Sequence, residues 1–296
     1  MFYLKGKIDT NKLIYFMFSL PALLLYSFFY IYSVICGIYY SMTDWNGIDI
    51  SYNLIGLDNF RRLLTDERFW NSLSITVYYA AALVVIVISA ALAMALILDS
   101  LVRFKTFFKS IFFFPAMLSS VTVALIWDQL FFRAIPVIGK GLGIGLLSQS
   151  PLASTKTALN AVILVNSWQA IALPIVIFVA GLQTIPKEIY EASSIDGANS
   201  FQRFRYITLP YLIPTLTVNF VLTLKSGLTV FDYVYAMTNG GPAKATEIIS
   251  VLIYKHGFQE MRFALANAEA VILFIIIATL SYIQIKISGK GGVVSE

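Results

Sequence analysis

The chain of 296 residues has little of what most catalytic and metal sites are built from. It contains one cysteine, Cys36, and one histidine, His256. A lone cysteine excludes an intrachain disulfide and a thiolate metal cluster, and a lone histidine excludes a multi-histidine metal site. Charged residues make up only 12% of the chain. Since the polar segments are short, there is no room for a separate soluble domain of ordinary size, about 100 residues or more.

The sequence also lacks a phosphate-binding loop. A P-loop needs the pattern GxxxxGK[ST] between a strand and a helix, and no stretch of the chain fits it. The glycine-rich stretch from Gly139 to Gly145 is typical of a flexible linker instead. The net charge of +5 suits a protein that rests on anionic lipid and gives no reason to expect nucleic-acid binding. Because the chain lacks a P-loop, it is not expected to be an ATP-hydrolysing subunit.

What the chain has in abundance is apolar residues, at 58% of the total, with a mean hydropathy of +0.79. Several apolar runs exceed the roughly 20 residues that cross a hydrocarbon core of about 30 Å. We predict an all-α polytopic membrane protein in which residues 1–296 form one transmembrane domain. The six predicted spans are Leu13–Ile38, Leu73–Leu98, Phe107–Leu130, Leu159–Leu182, Leu212–Tyr235 and Ala264–Ile287.

The charges before the first span predict the orientation. Lys5, Lys7 and Lys12 precede that span, which usually dominates topology, so the N-terminus is expected in the cytoplasm. An even number of spans puts the C-terminus on the same side. The basic residues of the remaining loops show only a weak bias in the same direction.

One polar stretch, residues 185–210, lies between two apolar segments and is itself patterned. Its first half places apolar side chains one helical turn apart, which predicts an amphipathic helix. Asp196 and Gly197 then break this helix, because glycine tolerates backbone angles that other residues avoid. A second short amphipathic run follows and is closed by Pro210. Two short helices joined at a glycine hinge suit docking into a cleft on another protein.

This stretch resembles the EAA loop of the membrane subunits of bacterial ATP-binding-cassette (ABC) importers, whose pattern is roughly EAAxxDGAxxxxxFxxIxLP. Ser193 stands where that pattern has its second alanine. The segments GLDNFRRLLTDERFW and TNGGPAKATE are similar to segments of the maltose-type permeases of this group, and the resemblance covers nearly the whole chain. The residues that match the loop pattern are Glu191, Ala192, Asp196, Gly197, Ala198, Phe204, Ile207, Leu209 and Pro210.

The resemblance implies a type I ABC importer permease for a sugar or oligosaccharide, in the bacterial plasma membrane. It implies a second homologous permease as heterodimer partner, a cytoplasmic ABC ATPase dimer that holds ATP and Mg, and an external solute-binding protein. No cofactor and no bond chemistry are expected in this chain itself. An ordinary solvated helix face is the alternative for the two glutamates of the loop. The residues expected to couple to the ATPase are Glu188, Glu191, Ala192, Asp196, Gly197, Ala198 and Phe204.

Polar side chains in the fourth and fifth predicted spans are candidates for the solute pathway. In hydrocarbon such a side chain costs free energy unless it faces protein or a water-filled cavity. Hydroxyls, amides and an aromatic ring are the groups that bind a sugar. Hydrogen bonding between helices is the alternative, and we favour it for Asn219 and Ser120. The predicted pathway residues are Asn166, Trp168, Gln169, Thr223, Ser226 and Thr229.

Lys225 is the most costly residue of the fifth span, at about 2.5–3.5 kcal/mol on insertion scales if it is central. We predict an intramembrane ion pair with Asp232, or with Glu269 on the sixth span, rather than direct contact with substrate. A different class of function, an ion-coupled secondary transporter, would use these three charges as coupling groups. A membrane enzyme is a weaker alternative, because Asp128, Asp232 and Glu269 are scattered and lack a paired motif. Within the importer class, the alternative is a permease for glycerol phosphate or another polar solute. A phosphate ester would want arginine in the cavity, and no predicted span contains one.

Overall fold

The structure, a computed structural model, describes residues 10–100, 105–145 and 148–288. Within these ranges the regular structure is helical, apart from one isolated antiparallel bridge between Thr43 and Leu54. This confirms the predicted all-α class. Lys5 and Lys7, on which the predicted orientation depends, lie outside the described residues.

The α-helices are, in chain order, α1 Thr10–Tyr26, α2 Tyr32–Ser41, α3 Asp58–Thr65, α4 Glu67–Ser100, α5 Lys105–Phe113, α6 Ser120–Gln129, α7 Ile135–Gly141, α8 Ala158–Ala170, α9 Ala172–Leu182, α10 Lys187–Ile195, α11 Ser200–Arg203, α12 Leu209–Leu228, α13 Asp232–Met237, α14 Ile249–Tyr254 and α15 Phe263–Ser288. Shorter π-helical segments are Ser27–Ile31, Leu130–Ala134, Phe204–Thr208 and Lys255–Gln259, and 3-10 turns are Phe114–Met117 and Pro151–Ala153.

The chain divides into two compact units, of which the first comprises residues 1–65 and 255–272. In this unit the amide nitrogen of Asn59 donates to the carbonyls of Ser41 at 2.9 Å and Thr43 at 2.8 Å, which ties α3 to the end of α2. His256 and Glu269 form a buried pair at 2.7 Å. The predicted single domain over the whole chain stays a prediction.

The second unit comprises residues 66–254 and 273–296. Here α4 packs between α9 and α12, and two glycines allow the close approach of these helices. A Cβ on Gly227 would lie 2.7 Å from the Cα of Ala80, and one on Gly181 would lie 2.6 Å from Cγ2 of Thr215. Helices that cross a membrane associate through such small residues, because the lipid gives them no hydrophobic driving force.

Among the residues that the structure describes, five helices are long and apolar enough to cross a membrane, or six spans if the bent pair α8–α9 is taken as one. The number therefore agrees with the sequence. The third span is placed differently: the prediction of one helix over Phe107–Leu130 is wrong. A 3-10 turn containing Pro115 follows α5, Leu118 and Ser119 are extended, and the crossing helix runs over Ser120–Gly141. Proline has no N–H and fixes its φ angle, so the helical hydrogen bonding stops there.

The fifth span also differs from the prediction, at both ends. The chain runs without interruption from α11 through the π-helical segment into α12, so Pro210 does not close a separate helix. At the other end α12 stops at Leu228 and α13 begins at Asp232, which leaves residues 229–231 outside any helix. The single span Leu212–Tyr235 is therefore wrong, and its break lies beside a cavity.

Candidate functional site

Two interrupted spans of the second unit meet around the same space. In the fourth span, α8 and α9 bend by 46° at Ile171. Pro174 has no N–H to give to the carbonyl of Ala170, four residues earlier, which weakens the helix at the bend. In the fifth span the break is at residues 229–231. Interrupted helices at membrane depth occur where the backbone lines a cavity or is buried in protein.

The space between these spans forms two adjoining cavities. The main cavity has a volume of about 320 Å³ and is lined by Ala116, Asn166, Gln169, Ala170, Leu173, Pro174, Asn219, Leu222, Thr223, Ser226 and Tyr233. The break cavity, of about 210 Å³, is lined by Asn166, Ser226, Thr229, Val230, Phe231, Asp232 and Tyr233. The structure thus brings together every predicted pathway residue except Trp168, which packs against Trp127 at a centroid distance of 5.9 Å. Contact of these residues with solute stays a prediction.

The amides of the fourth span also brace its neighbours. Asn166 is buried and donates to the hydroxyl of Tyr79 on α4 at 2.9 Å. Gln169 donates to the carbonyl of Leu118 at 2.7 Å, and its own carbonyl accepts a hydrogen bond from the Tyr233 hydroxyl. Both amides therefore combine a place in the cavity wall with hydrogen bonds between helices. Sequence reasoning missed Tyr79 and Tyr233, although a tyrosine in an apolar helix signals a hydroxyl that needs a partner.

Asn219 and Ser120 join helices, as the sequence analysis favoured. The amide nitrogen of Asn219 lies 3.4 Å from the carbonyl of Pro174. Its Oδ1 is buried beside the main cavity and has no hydrogen-bond partner within the part of the chain that the structure describes. Ser120, at the start of α6, donates to Oδ2 of Asp232 at 2.5 Å.

The predicted ion pair of Lys225 is not formed with Asp232. Both side chains are exposed, and among the described residues no ion pair joins them. The prediction assumed one continuous helix, in which a spacing of seven residues places both charges on one face. The break at residues 229–231 removes that relation. Glu269, the other predicted partner, pairs with His256 in the first unit.

The polar stretch 185–210, called the elbow below, contains α10, a turn at Gly197 and α11. Gly197 has a φ angle of +74°, and a Cβ built on it would meet nothing within 4 Å. Glycine is therefore needed at this position for the left-handed backbone, and not to leave space for a neighbouring group. The first arm of the elbow is α10, and the second arm is α11 with the π-helical segment Phe204–Thr208. Asn199 and Gln202 form a reciprocal capping box at the start of α11, which fixes where the second arm begins.

The elbow is anchored on the helical core. Ile185 is buried in the cluster that contains Phe178 and Leu212. The hydroxyl of Tyr190 on α10 lies 2.9 Å from Oγ1 of Thr208 on the second arm. Ser193, and not Ala192, is the buried small residue of α10. A serine on an amphipathic helix is usually assigned to the solvent-exposed face. Ser193 is instead buried and donates to the Tyr190 carbonyl.

The opposite side of the elbow is exposed. Of the predicted coupling residues, Glu188, Glu191, Ala192, Asp196 and Gly197 are exposed, and Ala198 and Phe204 are half-buried. Three large apolar side chains protrude among them: Ile195 is 87% exposed, Phe201 73% and Tyr206 74%. A groove of about 300 Å³ runs beside Asp196, Gly197, Ala198, Gln202, Arg203, Tyr206 and Ile207. Protruding apolar side chains within a polar frame indicate a surface for another protein.

Known proteins with similar sequences are membrane components of transport systems. Residues 91–289 match the family described as "Binding-protein-dependent transport system inner membrane component". The multiple sugar-binding transport system permease protein MsmF of Streptococcus mutans is 41% identical over 95% of this chain and 97% of its own length. The probable starch degradation products transport system permease protein AmyD of Thermoanaerobacterium thermosulfurigenes is 36% identical over 97% of each chain.

A solved structure shares the fold. A chain of a bacterial ABC transporter involved in import of the acidic polysaccharide alginate superposes with a TM-score of 0.83 over 99% of both chains, at 21% sequence identity. This confirms the predicted permease fold. The relatives confirm the resemblance that the loop pattern indicated.

Proposed function

The chain belongs to the family of binding-protein-dependent transport system inner membrane components, and on that premise we propose that it forms half of the pathway of an ATP-driven importer for a sugar or oligosaccharide. As a family member it is a multi-pass inner-membrane protein and a transport component. The observation that carries the proposal is the elbow, because it joins an exposed apolar surface to a helix that lines the cavity.

The elbow has the form of a lever. Its second arm continues unbroken from α11 into α12, and α12 carries Thr223 and Ser226 in the wall of the main cavity. Closure of an ATPase dimer that grips Ile195 and Phe201 would therefore tilt α12. Rigid-body motion of this kind would open the cavity to one side of the membrane and close it to the other. The chain then supplies half of a cavity and a lever, and no bond chemistry.

The cavity supports a sugar as substrate. Amides, hydroxyls and the ring of Tyr233 line it, and these groups exchange hydrogen bonds with hydroxyls and cover an apolar sugar face. The two relatives named above are called sugar or starch-product permeases. Relatives of 31% and 29% identity are named sn-glycerol-3-phosphate permeases. A phosphate ester calls for arginine, and the described lining residues of both cavities include no basic side chain.

The proposed assembly has four kinds of component: this chain, a second similar permease, a cytoplasmic ATPase dimer that binds ATP and Mg, and an external solute-binding protein. Lipid surrounds the spans. The elbow and both termini are assigned to the cytoplasm, because the elbow must reach the ATPase.

The test is reconstitution. The tagged chain is purified with its co-expressed partner permease and ATPase, placed in proteoliposomes, and supplied with the solute-binding protein loaded with its own sugar. We expect sugar uptake that needs ATP on the side of the elbow and stops when the ATPase is inactivated. Uptake by the chain alone, driven by an ion gradient, would instead establish the secondary transporter.

A separate labelling experiment tests the orientation. Because Cys36 is the one cysteine of the chain, Cys36→Ser gives a clean background for Ser200→Cys in the exposed elbow. A membrane-impermeant maleimide is expected to label this cysteine in inside-out vesicles and not in intact cells. Labelling from outside the cell would overturn the coupling role of the elbow.

A further inference from the structure

The wall of the break cavity carries a carboxylate that the transport of a sugar does not by itself require. Asp232 is the first residue of α13, directly after the break in the fifth span. Its side chain is exposed to the cavity, and Ser120 on α6 donates to its Oδ2 at 2.5 Å. The serine holds one oxygen, and so fixes the direction of the carboxylate from a different helix.

Among the described residues, no ion pair of Asp232 and no basic residue of the cavity lining is found. The lining residues of the main and break cavities include no lysine, arginine or histidine. Lys225 lies on α12, but it lines neither cavity, and the structure shows no ion pair between it and Asp232. Asp232 is therefore the charged side chain among the described residues that line these two cavities.

The amides of the adjoining main cavity offer few free N–H donors to a solute, because protein oxygens already accept from them. The amide nitrogens of Asn166 and Gln169 donate to protein oxygens. The amide nitrogen of Asn219 likewise lies 3.4 Å from the Pro174 carbonyl. The carbonyl of Ala170 lacks the usual helical donor, because Pro174 follows it four residues later. Such a wall binds groups that bring their own hydrogens, as sugar hydroxyls do.

We infer that Asp232, positioned by Ser120, makes the pathway selective against anions, so that the substrate is an uncharged oligosaccharide and neither a phosphate ester nor a uronic acid. Like charges repel strongly in a confined space with low-dielectric walls, where field lines are focused. The inference rests on the proposed function for the identity of the cavity as a solute pathway. The charge selectivity itself can be measured without any substrate.

The test uses cysteine modification in the assembled importer in native membranes. In a Cys36→Ser background, Ser226→Cys places a thiol in the wall of both cavities. Its reaction rate is measured with two methanethiosulfonate reagents of similar size, one with a trimethylammonium group and one with a sulfonate. We expect the cationic reagent to react faster, after correction for intrinsic reactivity, and the ratio of the two rates to fall about tenfold when Asp232→Asn is added.

Matched variants separate charge from folding. Asp232→Glu keeps the charge and should keep the ratio of the two reaction rates at Ser226→Cys. Thr155→Cys lies on an exposed loop and lines neither cavity. Its rate ratio should not change when Asp232→Asn is added. An equal reactivity of both reagents at Ser226→Cys, or a ratio unaffected by Asp232→Asn, overturns the inference. So does a lack of reaction with either reagent at both Ser226→Cys and Thr229→Cys, since the cavity would then be closed to water-borne solutes.

The two proposals fail separately. Charge selectivity at Ser226→Cys without ATP-dependent uptake would reject the proposed function alone, and uptake without charge selectivity would reject this inference alone.

Discussion

Arg68 holds the carboxylate of Glu247 through both oxygens, at 2.8 Å from Nε to Oε2 and at 3.1 Å from Nη2 to Oε1. The Glu247 side chain is buried, and the pair joins the first turn of α4 to the connection before α14. Two residues later the backbone N–H of Ile249 donates to the hydroxyl of Thr76, also on α4, at 2.8 Å. A bidentate pair of this kind adds geometric specificity to its energy, so the connection after α13 is fixed to α4.

Arg68→Ala should destabilise the protein strongly, because it leaves a buried carboxylate without its arginine. Breaking a buried pair in this way costs about 3–5 kcal/mol. Replacing both partners with apolar residues is much milder, so Arg68→Met combined with Glu247→Leu should recover most of the stability. The measurement is the thermal melting temperature of the purified importer in detergent. Arg62→Ala is the matched control, because its partner Asp58 is exposed; a melting shift as large as that of Arg68→Ala would contradict the prediction.

Gly227→Ala should destabilise the packing between the second and fifth spans. Its new Cβ would lie 2.7 Å from the Cα of Ala80, and a backbone atom cannot turn away as a side chain can. Overpacking of this kind costs about 1–3 kcal/mol. Gly141→Ala, which has open space around it, should leave the melting temperature unchanged or slightly raised. Ala80→Gly should rescue Gly227→Ala only in part, since the new methyl group would still clash with the backbone of α4.

Gly197→Ala should reduce ATP-dependent uptake several-fold with little effect on the stability of the spans. Alanine in the left-handed region costs about 1–2 kcal/mol, and at this position the strain falls on the joint between the two arms of the elbow. Gly143 has a φ angle of +68° and equally open space, so Gly143→Ala imposes the same strain outside the elbow and should leave uptake within about twofold of the native protein. Asn tolerates this conformation, and Gly197→Asn should retain more uptake than Gly197→Ala. Equal losses of uptake in Gly143→Ala and Gly197→Ala would argue against a coupling role.

Gln169→Leu and Ser226→Ala should affect different properties. Gln169 bonds both Leu118 and Tyr233, so its loss removes two part-buried hydrogen bonds, each worth about 0.5–1.5 kcal/mol. A lower melting temperature and lower uptake are expected together. Ser226 is exposed to both cavities, and Ser226→Ala should weaken uptake of the sugar with no change in melting temperature. The opposite pattern would show that Ser226 is the brace and Gln169 the pathway residue.

Two features of the elbow show what local sequence can predict. The helix α10 follows from the spacing of its apolar residues, and the turn at Gly197 from the freedom of glycine, since both depend on neighbours within a few positions. The continuity of the second arm with α12 was not predicted. Pro210 suggested a helix end, but the structure places it just after the π-helical segment Phe204–Thr208, and the helix continues through it.

No proline or glycine within the break, residues 229–231, marks the interruption of the fifth span in the sequence. The sequence therefore predicted a continuous helix and an ion pair along it. In the structure Phe231 stacks on Tyr235 at 5.0 Å and packs against Tyr254 at 5.5 Å. The packing against Tyr254 involves a residue far along the chain, and no local pattern encodes it. Asp232 therefore accepts a hydrogen bond from Ser120 and does not form the predicted ion pair with Lys225.

The sequence by itself determined the class of this protein: a membrane-spanning, all-helical permease with an elbow between its fourth and fifth spans. It could do so because hydropathy over 20 residues and a local loop pattern are properties of neighbouring residues. Only the tertiary structure decided which polar atoms face the cavities, which brace neighbouring helices, and where the spans are interrupted. Those outcomes depend on packing between α4, α6, α8, α12 and α13, which joins residues separated by tens to more than a hundred positions.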